Sequence, residues 1–299
     1  MRLQKIDPES TQYKELNSFN DWILSIGNGT IKHESNINDD EADPDCIIVQ
    51  IPEDLLIHTT GNKIEALVQF TYQDFKTNFQ KPEYLKDRAI LATTNEIVDE
   101  INEYMLNLIP TTEKEYFSAD TISQCTDTCN DADILYPVEY LNTLVANNFP
   151  THRLKLKVGV PIPKKSKSEY RAMQWDKTNS NLGDNVIEAM IITGTHTRET
   201  AYIPRINLTT RGCRWPFTLC RRQFPIKVCY SMTINKSQGQ TLSNVGIYLK
   251  KPVFTHGQLY VAMSRVTSKT GLKILIENQD GTCGSITKNI VYKEILEMI

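Results

Sequence analysis

Two short runs carry the residue types that chemistry on a phosphate needs. The first is Thr233-Ile234-Asn235-Lys236-Ser237-Gln238-Gly239-Gln240-Thr241. It offers amide, ammonium and hydroxyl groups in succession, with one glycine whose missing Cβ lets a backbone come close to a ligand. Such a run suits the phosphates of a nucleotide or of a nucleic-acid backbone. A polar turn with a purely structural role has the same composition. The second run is Thr255-His256-Gly257-Gln258-Leu259-Tyr260-Val261-Ala262-Met263-Ser264-Arg265. Leu259, Met263 and Val266 recur at helical spacing and predict a buried stripe. Gln258 and Arg265, seven apart, share another face. An arginine at the end of an otherwise apolar helix can cross a cleft to a transferring γ-phosphoryl group, or can close a surface ion pair.

Both runs need strands that end where they begin. Residues 226–231 are predicted as the strand feeding the first run, and 236–242 as a loop entering a helix. Residues 245–249 and 272–276 read as two further strands, with a helix over 255–266 between them and a capping box at Thr255 and Gln258. Upstream, 89–92 predicts a short buried strand. It leads into a capping box with Thr93 as N-cap and Glu96 at N3, then a helix bearing Ile97, Ile101 and Met105. A strand running straight into a capped helix is the basic α/β unit, and such sheets bind ligands at the carboxyl ends of their strands. Nearer the start, Phe19, Trp22, Ile23 and Ile26 predict a helix closed by Gly27 and Gly29. An acidic solvated loop over 34–45, a short strand over 47–51 and a helix entry over 64–70 follow. Residues 137–222 differ in texture, being basic with short β-like runs at 154–160, 186–193 and 201–208, and read as a β-rich insertion.

The net charge of −3 conceals a strong asymmetry. Residues 1–150 hold 10 basic and 27 acidic residues, a balance of −17, whereas 151–299 hold 23 and 9, a balance of +14. The span 153–227 alone carries 15 basic and 5 acidic residues, which points to a polyanionic partner or to a solvated basic face. No apolar run reaches the ~18 residues of a membrane-spanning helix, and the first residues have no signal-peptide pattern. Seven scattered cysteines, with Cys125 and Cys129 the one close pair and no histidine at zinc spacing, predict no metal site and reduced thiols.

Taken in this order, the two runs resemble helicase motifs V and VI of the Pif1/RecD-like superfamily 1B, in particular the plant and Helitron-type Pif1-like helicases. Phe224-Pro225-Ile226-Lys227-Val228-Cys229 and Val245-Gly246-Ile247-Tyr248-Leu249 fit the same pattern. Residues 89–102 resemble the opening strand and helix of that family's second RecA-like domain. Pro137-Val138-Glu139-Tyr140-Leu141-Asn142 and 154–159 resemble its 2B insertion. The resemblance implies a RecA-like P-loop NTPase second domain (2A) with a small SH3-like β-rich 2B insertion. Its borders would be 1–86 for the tail of the first RecA-like domain and a linker, 87–136 and 223–299 for 2A, and 137–222 for 2B. It implies that Arg265 stabilises charge on the ATP γ-phosphate, and that Gln238, Gly239 and Gln240 lie between nucleotide and DNA. Lys236, Ser237 and Thr241 would contact the DNA backbone or the nucleotide, Thr94 and Asn95 a single strand, and Arg2 would be the motif IV arginine near the nucleotide. Asn235 stands where the motif usually carries His.

The implied activity is ATP-dependent DNA unwinding in repair, recombination or telomere maintenance, with ATP and Mg²⁺ as cofactors and single-stranded DNA as partner. The implied location is nuclear, with mitochondria as the alternative. Two departures qualify it. None of the 13 glycines is followed by lysine, so the chain has no G-x-x-x-x-G-K-[ST] phosphate loop. Asp99-Glu100 falls inside a helical pattern and is no Walker B site. The reading expects the first RecA-like domain to be missing and the chain to be inactive alone. The alternative is a non-catalytic single-strand-binding remnant of a Helitron-type helicase. Within 2B, the polar run 163–170 replaces an apolar strand of the family, so a central strand is expected to be absent.

Overall fold

The computed structural model describes residues 10–31, 45–123, 136–146, 149–163, 175–192, 198–210 and 215–294. Arg2, Cys125, Cys129, the acidic stretch up to residue 44 and most of the polar run 163–170 lie outside them. The chain forms two compact units. One draws on residues up to Phe75, on Asp87–Tyr104 and on the chain from Tyr230 onward. The other draws on Lys76–Lys86 and Met105–Cys229.

The first unit is built on a five-stranded sheet in the order Ser231–Thr233, Arg88–Ala92, Asn244–Leu249, Leu272–Glu277, Cys283–Gly284. The first four strands are parallel and the last is antiparallel. Parallel strands covered on both faces read as unbroken apolar runs, and Ala89, Ile90, Leu91 and Ala92 are all fully buried. Helix Lys63–Thr71 lies close against strand 244–249, because Gly246 leaves it room: a Cβ there would stand 2.3 Å from Thr71 Oγ1. Helix Thr11–Gly27 is capped by Ser10, whose hydroxyl accepts the Tyr13 N–H at 3.1 Å, and it buries Phe19, Ile23 and Ile26. Strand Cys46–Gln50 pairs antiparallel with Ile286–Ile290. No helix of the described residues is long and apolar enough to cross a membrane.

Five local expectations are corrected here. Helix Asn95–Leu108 starts beyond Thr94, whose carbonyl accepts the Val98 N–H at 3.2 Å, and the capping box at Thr93 does not form. Thr93 is buried and donates to the Lys251 carbonyl at 3.3 Å, while Glu96 pairs with Lys251 at 3.6 Å. The strand expected over 226–231 is Ser231–Thr233 instead. Pro225 has no N–H to pair, the Ile226 N–H is taken by the Phe224 carbonyl at 2.9 Å, and Phe224 and Ile226 serve the core of the second unit. No helix begins within 236–242: Ile234–Ser237 is a 3₁₀ turn, and the chain runs on from it to strand 244–249. The helix expected over 255–266 is Gln258–Met263 alone, because Gly257 at φ +67° breaks it on the amino side. The Gln258 side-chain oxygen accepts from the Phe254 N–H at 3.0 Å rather than forming a box with Thr255.

The second unit consists of small antiparallel sheets. Glu113–Phe117 pairs with Arg153–Lys157, and Thr218–Gln223 lies between Ile206–Thr209 and Ala119–Ser123. A four-stranded sheet runs Pro161–Pro163, Trp175–Leu182, Val186–Ile191, Thr200–Pro204. The expected loss of a central strand is therefore not seen: 175–182 pairs on both sides, with a register shift between Asn179 and Asn181. Ladder pairing needs backbone N–H and C=O groups, which a polar sequence supplies as well as an apolar one. Tyr116, Leu154, Leu156, Ile162, Ile187, Ala189, Phe224 and Ile226 form one core, and Leu141, Leu144, Phe149 and Leu219 a second. Beside that second core Arg221 is fully buried. Its Nε donates to both Asp120 oxygens at 2.9 and 3.0 Å and its Nη2 to Asp120 Oδ2 at 2.6 Å. Further bonds to the carbonyls of Leu141, Leu144 and Pro150, at 3.1, 3.2 and 2.9 Å, tie helix Val138–Thr143 and the chain after it to the sheet.

Candidate functional site

Strands 88–92 and 231–233 are parallel neighbours, with Ala92 opposite Thr233. Their carboxyl ends open side by side, so Thr94 and Asn95 leave the sheet at the same edge as the run 234–241. This edge is where open α/β sheets bind ligands. Thr94 is half-buried with its hydroxyl unpartnered, and Asn95 is exposed.

The polar run folds as a tight turn. Ser237 is fully buried and its hydroxyl donates to the Ile234 carbonyl at 2.6 Å, so that side chain holds the turn together. The Gln240 N–H donates to the Ser237 carbonyl at 3.1 Å. Between them Gly239 takes φ +86°, a conformation that disfavours any Cβ, and no atom lies within 4 Å of where one would stand. Gln238, Gly239 and Thr241 are exposed and Lys236 is half-buried. Gln240 is 7% exposed, yet neither its carboxamide oxygen nor its nitrogen has a partner.

Arg265 reaches this turn from the end of helix 258–263. Its Nη1 donates to the Gln240 carbonyl at 3.1 Å and, at 3.5 Å, to that of Ser237. Nε donates to the Val261 carbonyl at 2.8 Å and Nη2 to Ser264 Oγ at 2.7 Å. The main chain closes the same junction, with the Leu242 N–H on the Arg265 carbonyl at 2.9 Å and the Thr267 N–H on that of Leu242 at 3.1 Å. Burial pulls the Arg265 pKa below its ordinary value, against an opposing effect of Tyr260, and the guanidinium stays cationic at neutral pH. The two chemistry-bearing runs are thus one piece of structure: a partly buried cation behind a glycine turn with an unsatisfied carboxamide. An oxyanion arriving at the turn meets positive charge and open space. Among the described residues no group of three His, Cys, Asp or Glu side chains stands at metal-binding spacing.

Sequence reasoning missed what holds the turn in place. Asn102, in helix 95–108, is buried and faces the start of the strand that feeds the turn. Its Oδ1 accepts the N–H groups of Tyr230 and Ser231 at 2.8 and 2.9 Å, and its Nδ2 donates to the Ser231 carbonyl at 3.2 Å. The Tyr72 hydroxyl donates to the Tyr230 carbonyl at 2.7 Å. A signal was present: Asn102 sits four residues from both Val98 and Leu106, on a stripe that is otherwise apolar.

A parallel sheet with a phosphate-suited turn at its carboxyl edge, interrupted by a small β-rich unit, defines a RecA-like α/β domain carrying a 2B-like insertion. Comparison with known proteins narrows the class. A family model described as "DNA helicase Pif1, 2B domain" matches residues 139–162, within the second unit. The ATP-dependent DNA helicase PIF1 of Candida albicans is 30% identical over 159 residues, 48% of this chain and 17% of that protein. The ATP-dependent DNA helicase Pif1 of Campylobacter jejuni is 26% identical over 230 residues, 70% of this chain and 47% of that protein. The crystal structure of the Candida albicans Pif1 helicase shares the fold, with a TM-score of 0.52 at 21% identity over 96% of this chain and 58% of that one. The chain is similar to Pif1 helicases over these spans. It spans less than two thirds of the length of each of these relatives.

Proposed function

We propose that this chain is the C-terminal motor portion of a Pif1-like ATP-dependent DNA helicase, of the plant or Helitron type. In this reading a P-loop-bearing RecA-like domain supplies the ATP and Mg²⁺ site, and Arg265 completes it from the far side of the cleft. Gln238, Gly239 and Gln240 lie between nucleotide and DNA. Lys236 and Thr241, with Thr94 and Asn95 on the neighbouring strand end, track a single strand, and Arg2 reaches the nucleotide. The domain borders follow the family's pattern, with 2A over 87–136 and 223–299, 2B over 137–222, and 1–86 closing the first RecA-like domain. The proposed setting is nuclear DNA repair and recombination. The observation that carries the proposal is the junction of Arg265 with the Ser237 and Gln240 carbonyls, which joins the two motif-like runs at the sheet's carboxyl edge.

The test is ATP turnover in the presence of single-stranded DNA. The chain alone is expected to show none, since it has no phosphate loop of its own. Joined to a P-loop-bearing first domain, it is expected to hydrolyse ATP in a DNA-dependent way. Turnover by the chain alone would refute the division of labour.

A second reading, a non-catalytic single-strand-binding remnant, is favoured by the +14 balance of residues 151–299. Both readings expect affinity for single-stranded DNA that falls steeply with salt. The remnant alone expects no turnover once a first domain is restored.

A further inference from the structure

The chain leaves the first unit along helix 95–108, after Tyr104, and re-enters it at Tyr230. Asn102 stands at the point of departure, and its carboxamide is bonded to both residues at the point of return. We propose that Asn102 is a positioning residue. In this role it clamps the returning strand so that the turn 234–241 is presented at the sheet edge in its binding geometry.

Three observations carry this. First, one side chain takes two consecutive backbone N–H groups and gives its own N–H to the second residue's carbonyl, which fixes the Tyr230–Ser231 peptide in place and orientation. An asparagine provides this combination of acceptor and donor; an aspartate keeps the acceptor and loses the donor. Second, Tyr72 holds the Tyr230 carbonyl from another element, with its ring edge-on to that of Tyr230 at 5.8 Å between centroids. Third, two residues separate Ser231 from the start of the 3₁₀ turn, and among the described residues Ser231–Thr233 is an edge strand laddered on one side alone. An edge strand this short has few ladder bonds to fix it, so the side-chain clamp sets where the turn begins. The same helix that carries Asn102 opens at Thr94 and Asn95, so a shift of one strand end relative to the other is resisted by this single carboxamide.

The clamp itself is independent of what the turn binds, and its consequence for nucleic acid rests on the proposed function. Hydrogen–deuterium exchange on the whole chain reads the clamp directly. Asn102→Leu, close in volume and unable to bond, is expected to speed exchange of the 230–241 amides about tenfold, the equivalent of roughly one to two hydrogen bonds. The strand 272–277 should stay unchanged. Tyr72→Phe, which removes one hydroxyl and keeps the ring, is expected to speed the same amides by a smaller factor, and serves if Asn102→Leu does not fold. Unchanged 230–241 amides in the variants that fold, or a uniform rise across the unit, would overturn the clamp. Binding of a fluorescent oligo-dT is read in parallel, with Lys236→Ala as the reporter of the turn itself. Loss of affinity in both Asn102→Leu and Lys236→Ala supports the positioning role. Loss in Lys236→Ala alone overturns it, whereas no loss in either, with local exchange raised, leaves the clamp intact and removes the proposed ligand.

Discussion

The guanidinium of Arg265 donates to the main-chain carbonyl of Gln240, 25 positions earlier, at 3.1 Å. A side chain that sequence reading assigns to a distant phosphate is thus also a strut of the neighbouring turn. The two roles are compatible, because arginine carries five N–H donors, of which Val261, Ser237, Gln240 and Ser264 take four and one on Nη2 is left for an oxyanion. A lysine at this position would keep the charge and lose the fork.

Arg265→Lys should therefore separate charge from geometry. In a polypeptide that restores a P-loop-bearing first domain, DNA-stimulated phosphate release is expected to fall by about 10³-fold. Binding of single-stranded DNA by the same variant should change less than tenfold. A variant that retains its hydrolysis within a factor of a few would reduce Arg265 to its structural role.

Two glycines should respond to alanine for different reasons. Gly239 has an open surround and a positive φ, so Gly239→Ala meets backbone strain alone and is expected to cost about 1–2 kcal/mol. At Gly246 the new methyl would stand 2.3 Å from Thr71 Oγ1 and 2.9 Å from Leu67 Cδ1, so helix 63–71 must move. Gly246→Ala should lower the urea midpoint more than Gly239→Ala does, by overpacking of about 1–3 kcal/mol.

Removing one half of the buried Arg221–Asp120 pair should be severe. Asp120→Ala leaves a guanidinium with no exposed surface and no counter-ion, and a loss of about 3–5 kcal/mol is expected. Replacing both at once, Asp120→Ala with Arg221→Met, should recover part of that loss. Calorimetry of the single and double variants decides it, and a double variant worse than the sum of the singles would contradict the desolvation argument.

Acid should weaken the first unit through Glu277. Burial alone raises this carboxyl, but hydrogen bonds from Tyr248 and Lys63, the latter at 3.2 Å, outweigh it and leave the pKa below the usual 4.5. A folded-state pKa that is lowered contributes stability above the unfolded value, and the contribution disappears as pH falls through the folded value. The melting temperature should decline as pH falls below the ordinary carboxylate range and through the lowered folded-state value for this reason, and Glu277→Gln should flatten that decline. Glu277→Gln should also be less stable at neutral pH, by about 1–2 kcal/mol. An unchanged acid slope in the variant would exclude Glu277 as the source.

What the sequence made legible follows from how its signals arise. The strands 88–92, 244–249 and 272–277 announce themselves because a fully covered parallel strand must be apolar throughout. The strand expected over 226–231 misled for the same reason. Burial is what its apolar residues encode, and Ile226 packs in a β-rich core rather than laddering in the parallel sheet. The capping box at Thr93 was a valid local pattern that lost to a tertiary bond with Lys251. Arg265, Gln240 and Gly239 were identified by type and spacing, and the structure brings them together. Asn102, Tyr72 and the Arg221–Asp120 pair were not. Each works through a partner far off in the chain, 128 positions for Asn102, 158 for Tyr72 and 101 for the Arg221–Asp120 pair, and no spacing rule reaches that far.

Ser231 pairs with Ile90, 141 positions earlier, and the Met105–Cys229 portion of the second unit is strung between them. Closing so long a loop is entropically tolerant: each doubling of length adds only about 0.6 kcal/mol. The sheet is therefore nearly indifferent to how much chain the detour contains, provided the strand returns to the same register. Lineages can lengthen, trim or rebuild that detour while the edge that carries the turn stays fixed.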